Sequence, residues 1–276
     1  MIDKPRYTVV DGIKCFHPDV ANDYADYPDG GFDLTDKNAQ SSFWVRSRNR
    51  LFKNIVTNCL AQKGKTKLLE IGCGIGDFLH QIADEERLQI TGSEIYLKGL
   101  RYAKKSLPNV EFIQFDVTQG TIDENFDVIA AFDVIEHTEN DGIAIANMNK
   151  MLRPGGVIII SVPQHMFMWG KLDEIVKHKR RYSRRELVKK VTQNGFTISR
   201  CTSFLFVLFP LMLVSRLFDK GGDQSKPDEV AFVKRVVFPR TLNWIFDLFM
   251  RIDEALIRLG FSLPFGGTLL IVAKKS

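Results

Sequence analysis

Lys67-Leu-Leu-Glu-Ile-Gly-Cys-Gly-Ile-Gly-Asp-Phe-Leu79 is the stretch on which the reading of the chain turns. Its apolar run Leu68, Leu69 and Ile71 has the character of a parallel strand buried on both faces. The run breaks into Gly72, Gly74 and Gly76, after which Phe78, Leu79, Ile82 and Ala83 recur at helical spacing. A strand that turns directly into a helix lies at the carboxyl edge of a sheet, where ligands bind. Glycines at that turn let a ligand approach the backbone without meeting a Cβ.

Outward from this turn the pattern alternates. Leu88 to Gly92 reads as a second strand ending at Glu94, and Val110 to Phe115 as a third ending at Asp116. Phe126 to Phe132 reads as a fourth, leading into Asp133-Val-Ile-Glu136-His137, and Val157 to Val162 as a fifth. Helical faces lie between them: Leu97, Leu100, Ala103 and Leu107, then Ile143, Ala144, Met148 and Met151 up to a stop at Arg153-Pro-Gly-Gly156. Ser183-Arg-Arg-Glu186 reads as a capping box that opens a further helix, stopped at Asn194-Gly195. Phe196 to about Phe206 reads as a sixth strand and Thr268 to Ala273 as the last. This alternation predicts a doubly wound, mostly parallel α/β sheet with all parallel strand ends on one edge. Upstream, residues 1 to 40 read as an irregular arm rich in Asp, Gly and Pro. Leu51, Phe52, Ile55, Val56, Cys59 and Leu60 follow as one helical face ended by Lys63-Gly64.

With 276 residues the chain has room for one large domain carrying additions. Cys15, Cys59, Cys73 and Cys201 form no C-x-x-C pair, which points to a reduced, cytoplasmic setting. Cys15-x-His17 has no second pair of metal ligands nearby and reads as an ordinary thiol beside a histidine. The N-terminus lacks the basic start and apolar run of a signal peptide. Net charge is only +5, yet residues 171–200 hold ten Lys or Arg against Asp173, Glu174 and Glu186, more excess charge than the whole chain. Directly after this strip ten of the 21 Phe fall between Phe204 and Phe265. Basic surface beside apolar surface is the main clue to what the protein acts on.

The strand ends carry the chemistry. A dinucleotide fold needs G-x-G-x-x-G, whereas here the third glycine falls at Gly76 and Asp77 takes the place the longer motif requires. An acid inside the first strand, Glu70, repels a pyrophosphate but suits a cationic ligand. Eighteen residues after Gly76, Glu94 offers two oxygens at the spacing of a ribose diol. Asp116 can accept a hydrogen bond from an adenine amine. Together these residues describe an adenosine that carries positive charge.

Five segments in this order resemble the class I S-adenosylmethionine-dependent methyltransferases: Leu69-Glu-Ile-Gly-Cys-Gly-Ile-Gly76, Gly92-Ser-Glu94, Phe115-Asp116, Phe132-Asp-Val-Ile-Glu-His137 and Leu152-Arg-Pro-Gly-Gly156. The resemblance implies a Rossmann-like seven-stranded sheet with an antiparallel last strand and S-adenosyl-L-methionine as cofactor. It places Glu70 and the glycines at the methionine moiety, Glu94 on the ribose and Asp116 near the adenine. The cofactor-binding set it implies is Glu70, Gly72, Cys73, Gly74, Gly76, Glu94, Ile95, Asp116, Val117, Phe132 and Asp133. Phe43-Trp44 with Arg48-Asn49-Arg50, and His178-x-Arg180-Arg181-Tyr182-Ser183, look like a bacterial subgroup linked to cell-envelope glycans or lipids. Asp133-x-x-Glu136-His137 is also similar to a run in the quinone O-methyltransferases that can hold a divalent metal; no metal is assigned here.

The expected organisation is an N-terminal arm and helix over 1–63, a cofactor-binding core over 64–204, a helical apolar insertion over 205–266 and a final strand over 267–276. His137 is the expected base for a hydroxyl acceptor, with Asp133 beside it as a catalytic or orienting acid. A loop-capping role for His137 stands as the alternative. His165, His178, Arg181 and Tyr182 are the expected substrate-binding residues, with guanidinium suited to an anionic group. Ser203 to Phe218 is too short to span a bilayer, and Arg240, Asp247, Arg251, Asp253 and Glu254 forbid a return span. The insertion is therefore read first as a buried lid, with a dimer surface or a helix in the membrane interface, on its cytoplasmic face, as alternatives. The function expected is methylation of a small-molecule or lipid-linked acceptor, at oxygen, in cell-envelope or quinone metabolism. Competing readings are a SAM-binding partner protein without catalysis, and an RNA or protein methyltransferase using the basic strip. Nucleic acid is disfavoured because the aromatics sit in an apolar block rather than among the basic residues.

Overall fold

Leu68 and Leu69 are adjacent and both fully buried, yet they belong to different hydrophobic clusters. Successive side chains of a strand point to opposite faces, so β3 (Thr66–Ile71) must be covered on both sides. The computed structural model describes residues 7–22, 32, 42–60, 64–218 and 238–276. In it β3 lies at the middle of a 9-stranded sheet. The other strands are β1 (Thr8–Val10), β2 (Ile13–Cys15), β4 (Leu88–Glu94), β5 (Glu111–Gln114), β6 (Phe126–Phe132), β7 (Leu152–Pro163), β8 (Phe196–Phe204) and β9 (Thr268–Lys275). The order is β1-β2-β5-β4-β3-β6-β7-β9-β8. Strands β5, β4, β3, β6 and β7 run parallel, while β9 is antiparallel to both β7 and β8. The Rossmann-like seven-stranded sheet of the sequence reading is thus present with its antiparallel last strand.

Two further strands extend it. The arm read as irregular contains a hairpin, β1–β2, whose turn Asp11-Gly12 has both residues at positive φ, 52° and 72°. Asp-Gly is the sequence that a tight hairpin of this hand prefers. Its second strand joins the sheet edge beside β5, with Lys14 opposite Ile113 and Cys15 opposite Gln114.

Helices α1 (Phe43–Thr57), α2 (Leu97–Ser106) and α7 (Arg240–Arg258) share one cluster through Phe52, Leu100 and Met250. On the opposite face Met148 of α3 (Asp141–Met151) and Leu187 of α5 (Arg184–Gln193) enter the second cluster. Ser183 caps α5 by accepting from the Glu186 N–H at 3.2 Å. The short α4 (Lys171–Ile175) and α6 (Phe209–Phe218) complete the described helices.

The helix expected after Gly76 shrinks to one 3-10 turn, Leu79–Gln81. Residues 72–87 must hold the whole crossover, and Asp84-Glu85-Glu86 gives no apolar face on which a helix could continue. Helix α1 ends at Thr57, earlier than the expected stop; Lys63 of that stop lies outside the described residues. Helices α6 and α7 fall within residues 205–266, the stretch expected to be a helical insertion, whose polar loop Asp219–Glu229 lies outside the described residues. Among the described residues no helix is long and apolar enough to cross a membrane.

Candidate functional site

The strand order reverses between β3 and β6, and the carboxyl ends of β3, β4, β5 and β6 converge there. Gly72 leaves β3 at φ 68°, and a Cβ on it would lie 2.5 Å from Val134 Cγ2, so a larger residue does not fit. Gly74, at φ 55°, differs in that among the described residues an added Cβ would meet nothing within 4 Å. Its backbone therefore borders open space, as the approach of a ligand requires.

Glu94 faces this turn. Its Oε2 accepts from the Gly74 N–H at 3.0 Å, and its Oε1 from the N–H groups of Ile95 at 2.7 Å and Tyr96 at 3.2 Å. Burial pushes its pKa up and these three donors pull it back. Asp116 accepts from Thr118 N–H and hydroxyl at 2.8 and 2.7 Å through one oxygen, and from Gln119 at 3.0 Å through the other. Its own N–H donates to His17 Nδ1 at 3.1 Å. His17 follows the β1–β2 hairpin, so it reaches this edge only because the hairpin joins the sheet; the Asp11-Gly12 turn was the signal that could have found it. Phe32 from the same arm is buried against Ile75 and Tyr96, over the loop that follows β3.

Of the remaining residues expected at the cofactor, Cys73 is buried and its thiol pKa is pushed well up by burial. Val117 is a core side chain. Phe132 stacks on Phe52 with ring centroids 3.8 Å apart, so its ring is committed to the core. Glu70 is buried, and its Oε2 has no hydrogen-bond partner among the described residues. Burial pushes its pKa from 4.5 to about 8; Arg48 opposes this, while Asp77 and Glu94 add to it. An orphaned buried carboxyl beside open glycine backbone fits a ligand that brings a cation.

Asp133 adopts a left-handed φ of 56° at the end of β6. Arg48 of α1 donates to its Oδ2 at 3.0 Å and Ser161 of β7 to its Oδ1 at 3.0 Å. The acid is therefore held between two elements and oriented. Arg48 is a residue whose part in the site the sequence did not reveal.

The basic strip docks against the turn Ile135–His137, where the Lys179 N–H donates to the Glu136 carbonyl at 2.9 Å. This docking brings His178 to His137, ring centroids 4.7 Å apart. His178 Nδ1 meets Asp173 Oδ1 at 2.8 Å, and Arg181 forks onto both Asp173 oxygens at 2.8 and 3.0 Å. Burial raises the Asp173 pKa, but the bonds from His178 and Arg181 outweigh it and hold it low. Glu136 is fully buried, its carboxyl oxygens find no hydrogen-bond partner among the described residues although Oε1 lies 3.8 Å from His178 Nε2, and burial pushes its pKa well up. Glu136, His137 and His178 each bring one ligand atom within 4.8 Å of the others, a set that could hold a divalent ion.

Arg181 and Tyr182, expected to contact substrate, are both buried. The Tyr182 hydroxyl donates to Asp141 at 2.7 Å. Their contacts hold the strip to the sheet, because a buried guanidinium or phenol must find internal partners. His165 is half-buried at φ 67°, stacked on Phe167, with burial lowering its pKa. It lies on the α6 side, away from the His137–His178 pair in its contacts.

The family model described as "Methyltransferase domain" matches residues 41–200. A protein of Mycolicibacterium smegmatis named "Probable S-adenosylmethionine-dependent methyltransferase" is 26% identical over 170 residues, 58% of this chain and 62% of the relative. A "Ubiquinone biosynthesis O-methyltransferase" of Rickettsia conorii is 29% identical over 101 residues, 35% of each chain. The chain thus spans less than two thirds of the length of these relatives. The phosphoethanolamine N-methyltransferase 2 of Haemonchus contortus, solved in complex with S-adenosyl-L-methionine, has the same fold with a TM-score of 0.60 and 18% identity, covering 92% of this chain and 59% of that one.

Proposed function

The chain belongs to the class I S-adenosylmethionine-dependent methyltransferases, and from that premise we propose that it methylates a hydroxyl oxygen of a small-molecule or lipid-linked acceptor. S-adenosyl-L-methionine supplies a methyl group already activated on a sulfonium, so the protein has mainly to align the acceptor and exclude water. Glu94 would bind the ribose diol, Asp116 the adenine amine, and Glu70 the cationic methionine end. Gly72 and Gly74 would let the cofactor lie against the backbone.

His137 would take the hydroxyl proton as the acceptor oxygen bonds to the methyl carbon and the carbon–sulfur bond breaks. His178, held on Asp173, would orient His137 and share its charge. The observation that carries this reading is the 4.7 Å contact between His137 and an aspartate-bound His178 at the end of the strand next to Glu70. A nitrogen acceptor with a free lone pair would need no such base. A ubiquinone biosynthesis O-methyltransferase and phosphoethanolamine N-methyltransferases are similar to comparable degrees, so the choice of oxygen rests on the histidine pair.

The test offers methyl-labelled S-adenosylmethionine with bacterial lipid and quinol extracts. Wild-type protein is expected to label an extractable product. His137→Ala should slow transfer by roughly a hundredfold or more while cofactor binding is retained. Undiminished transfer by that variant refutes the base, and absence of any transfer favours the non-catalytic reading.

A further inference from the structure

Helix α7 is inside out. Its inward stripe, Asn243, Asp247, Met250, Glu254 and Ile257, is largely polar and buried. Arg50 of α1 forks onto Glu254 at 2.7 and 3.0 Å and reaches Asp247 at 3.0 Å. Asn243 Oδ1 accepts from the Phe43 N–H at 2.9 Å, capping the start of α1. Asp253, 0% exposed, accepts from the Phe206 and Val207 N–H groups just before α6. The outward face carries Leu242, Trp244, Ile245, Leu248, Phe249 and Ile252, with Trp244 67%, Leu248 51% and Ile252 46% exposed. A helix on a soluble surface places these residues the other way round.

Charge identifies what this face meets. Every acid of α7 is buried, whereas Arg240, Arg251 and Arg258 are exposed along one flank. The outward charge of the helix is therefore wholly positive beside an apolar band that includes a tryptophan. Arg251 is held by Asp247 at 3.4 Å, and a symmetric contact with a second copy would bring Arg240 and Arg258 together with no exposed acid on the helix to pair them, since a two-fold interface uses the same patch twice. Anionic lipid headgroups satisfy them, and the apolar residues enter the acyl boundary. Elsewhere, exposed Met166 and Phe167 lie beside the buried Phe209 of α6, whose ring centroid is 6.5 Å from that of Phe167.

We propose that the outward face of α7 is a docking surface for an anionic membrane. It rests on the proposed function only for the further step that the acceptor is drawn from that membrane. The test is co-sedimentation of the full chain with phosphatidylcholine vesicles, with and without phosphatidylglycerol, at low and high salt. Wild-type protein should bind the phosphatidylglycerol vesicles, less so at high salt. The combined variant Ile245→Gln, Leu248→Gln and Ile252→Gln should bind at least about tenfold more weakly, with cofactor binding unchanged. Arg240→Gln with Arg258→Gln should weaken binding and reduce its salt dependence. No vesicle binding by the wild type, or equal binding by the triple variant, overturns the proposal. A stable dimer that the triple variant dissociates overturns it too, by giving the face to a second copy. Vesicle binding is read without any methyl transfer, so its failure and the failure of the catalytic reading are separate results.

Discussion

Replacing Glu70 by Gln tests how this fold prefers a cationic ligand. The carboxyl is buried, lacks a hydrogen-bond partner on Oε2 among the described residues, and is pushed by burial from its ordinary 4.5 up to about 8. That difference corresponds to roughly 5 kcal/mol of unfavourable burial when the group is ionised. Because the folded value is the higher one, this group favours the free fold most below pH 4.5 and its contribution is lost as pH climbs through about 8. A bound cation reverses the balance by stabilising the ionised form, so cofactor binding in this range expels a proton from Glu70. Gln cannot ionise and mimics the protonated acid. The ligand's own amino group titrates in the same region, so each wild-type affinity is read against the variant at the same pH. Calorimetric titrations from pH 5 to 9 should give similar dissociation constants at the acid end. The ratio of variant to wild type should then climb by up to about tenfold per pH unit and level off above about pH 8. In the free protein, Glu70→Gln should raise the melting temperature at pH 9. A ratio that is flat across the range would refute the assignment of Glu70 to the cationic end.

Two further substitutions probe the scaffold. Arg50→Leu leaves Glu254 buried without its fork and Asp247 with Arg46 and Arg251 at 3.8 and 3.4 Å, and should cost about 2–4 kcal/mol in denaturant unfolding and loosen α7 from α1. Asp173→Asn removes a carboxylate held low by His178 and Arg181, whose stabilisation is present above its unfolded pKa and lost as pH falls through the folded one. The variant's stability should therefore fall less steeply on acidification toward pH 3, and its transfer rate should drop through misorientation of His178, while Arg181 is left buried and less well paired.

The central sheet was legible because its signal is local. The strand of Leu68 and Leu69 is apolar on both faces, and Phe126–Phe132 was readable to the residue. The hairpin was missed because three-residue strands carry almost no periodicity, leaving only Asp11-Gly12 as a sign. At the site, the places of Glu94 at the end of its strand and of Glu70 inside its own could be read from a single chain segment. The Asp173–His178–His137 arrangement could not, because it depends on how the strip folds back onto the Ile135–His137 turn. That Arg181 and Tyr182 are buried was not legible for the same reason, since charge in a sequence does not say which side of the surface it faces. The α7 helix is the converse case: its acids excluded a membrane span, but only the fold shows that they point inward.

The most direct test of the account is titration of S-adenosylmethionine and S-adenosylhomocysteine onto the chain at pH 8, with NAD alongside and Glu94→Ala as the variant. One saturable site for the two adenosyl ligands, no binding of NAD, and at least about tenfold weaker binding by Glu94→Ala are expected from loss of the diol hydrogen bonds. Binding of NAD in preference, or S-adenosylmethionine affinity untouched by Glu94→Ala, would contradict it.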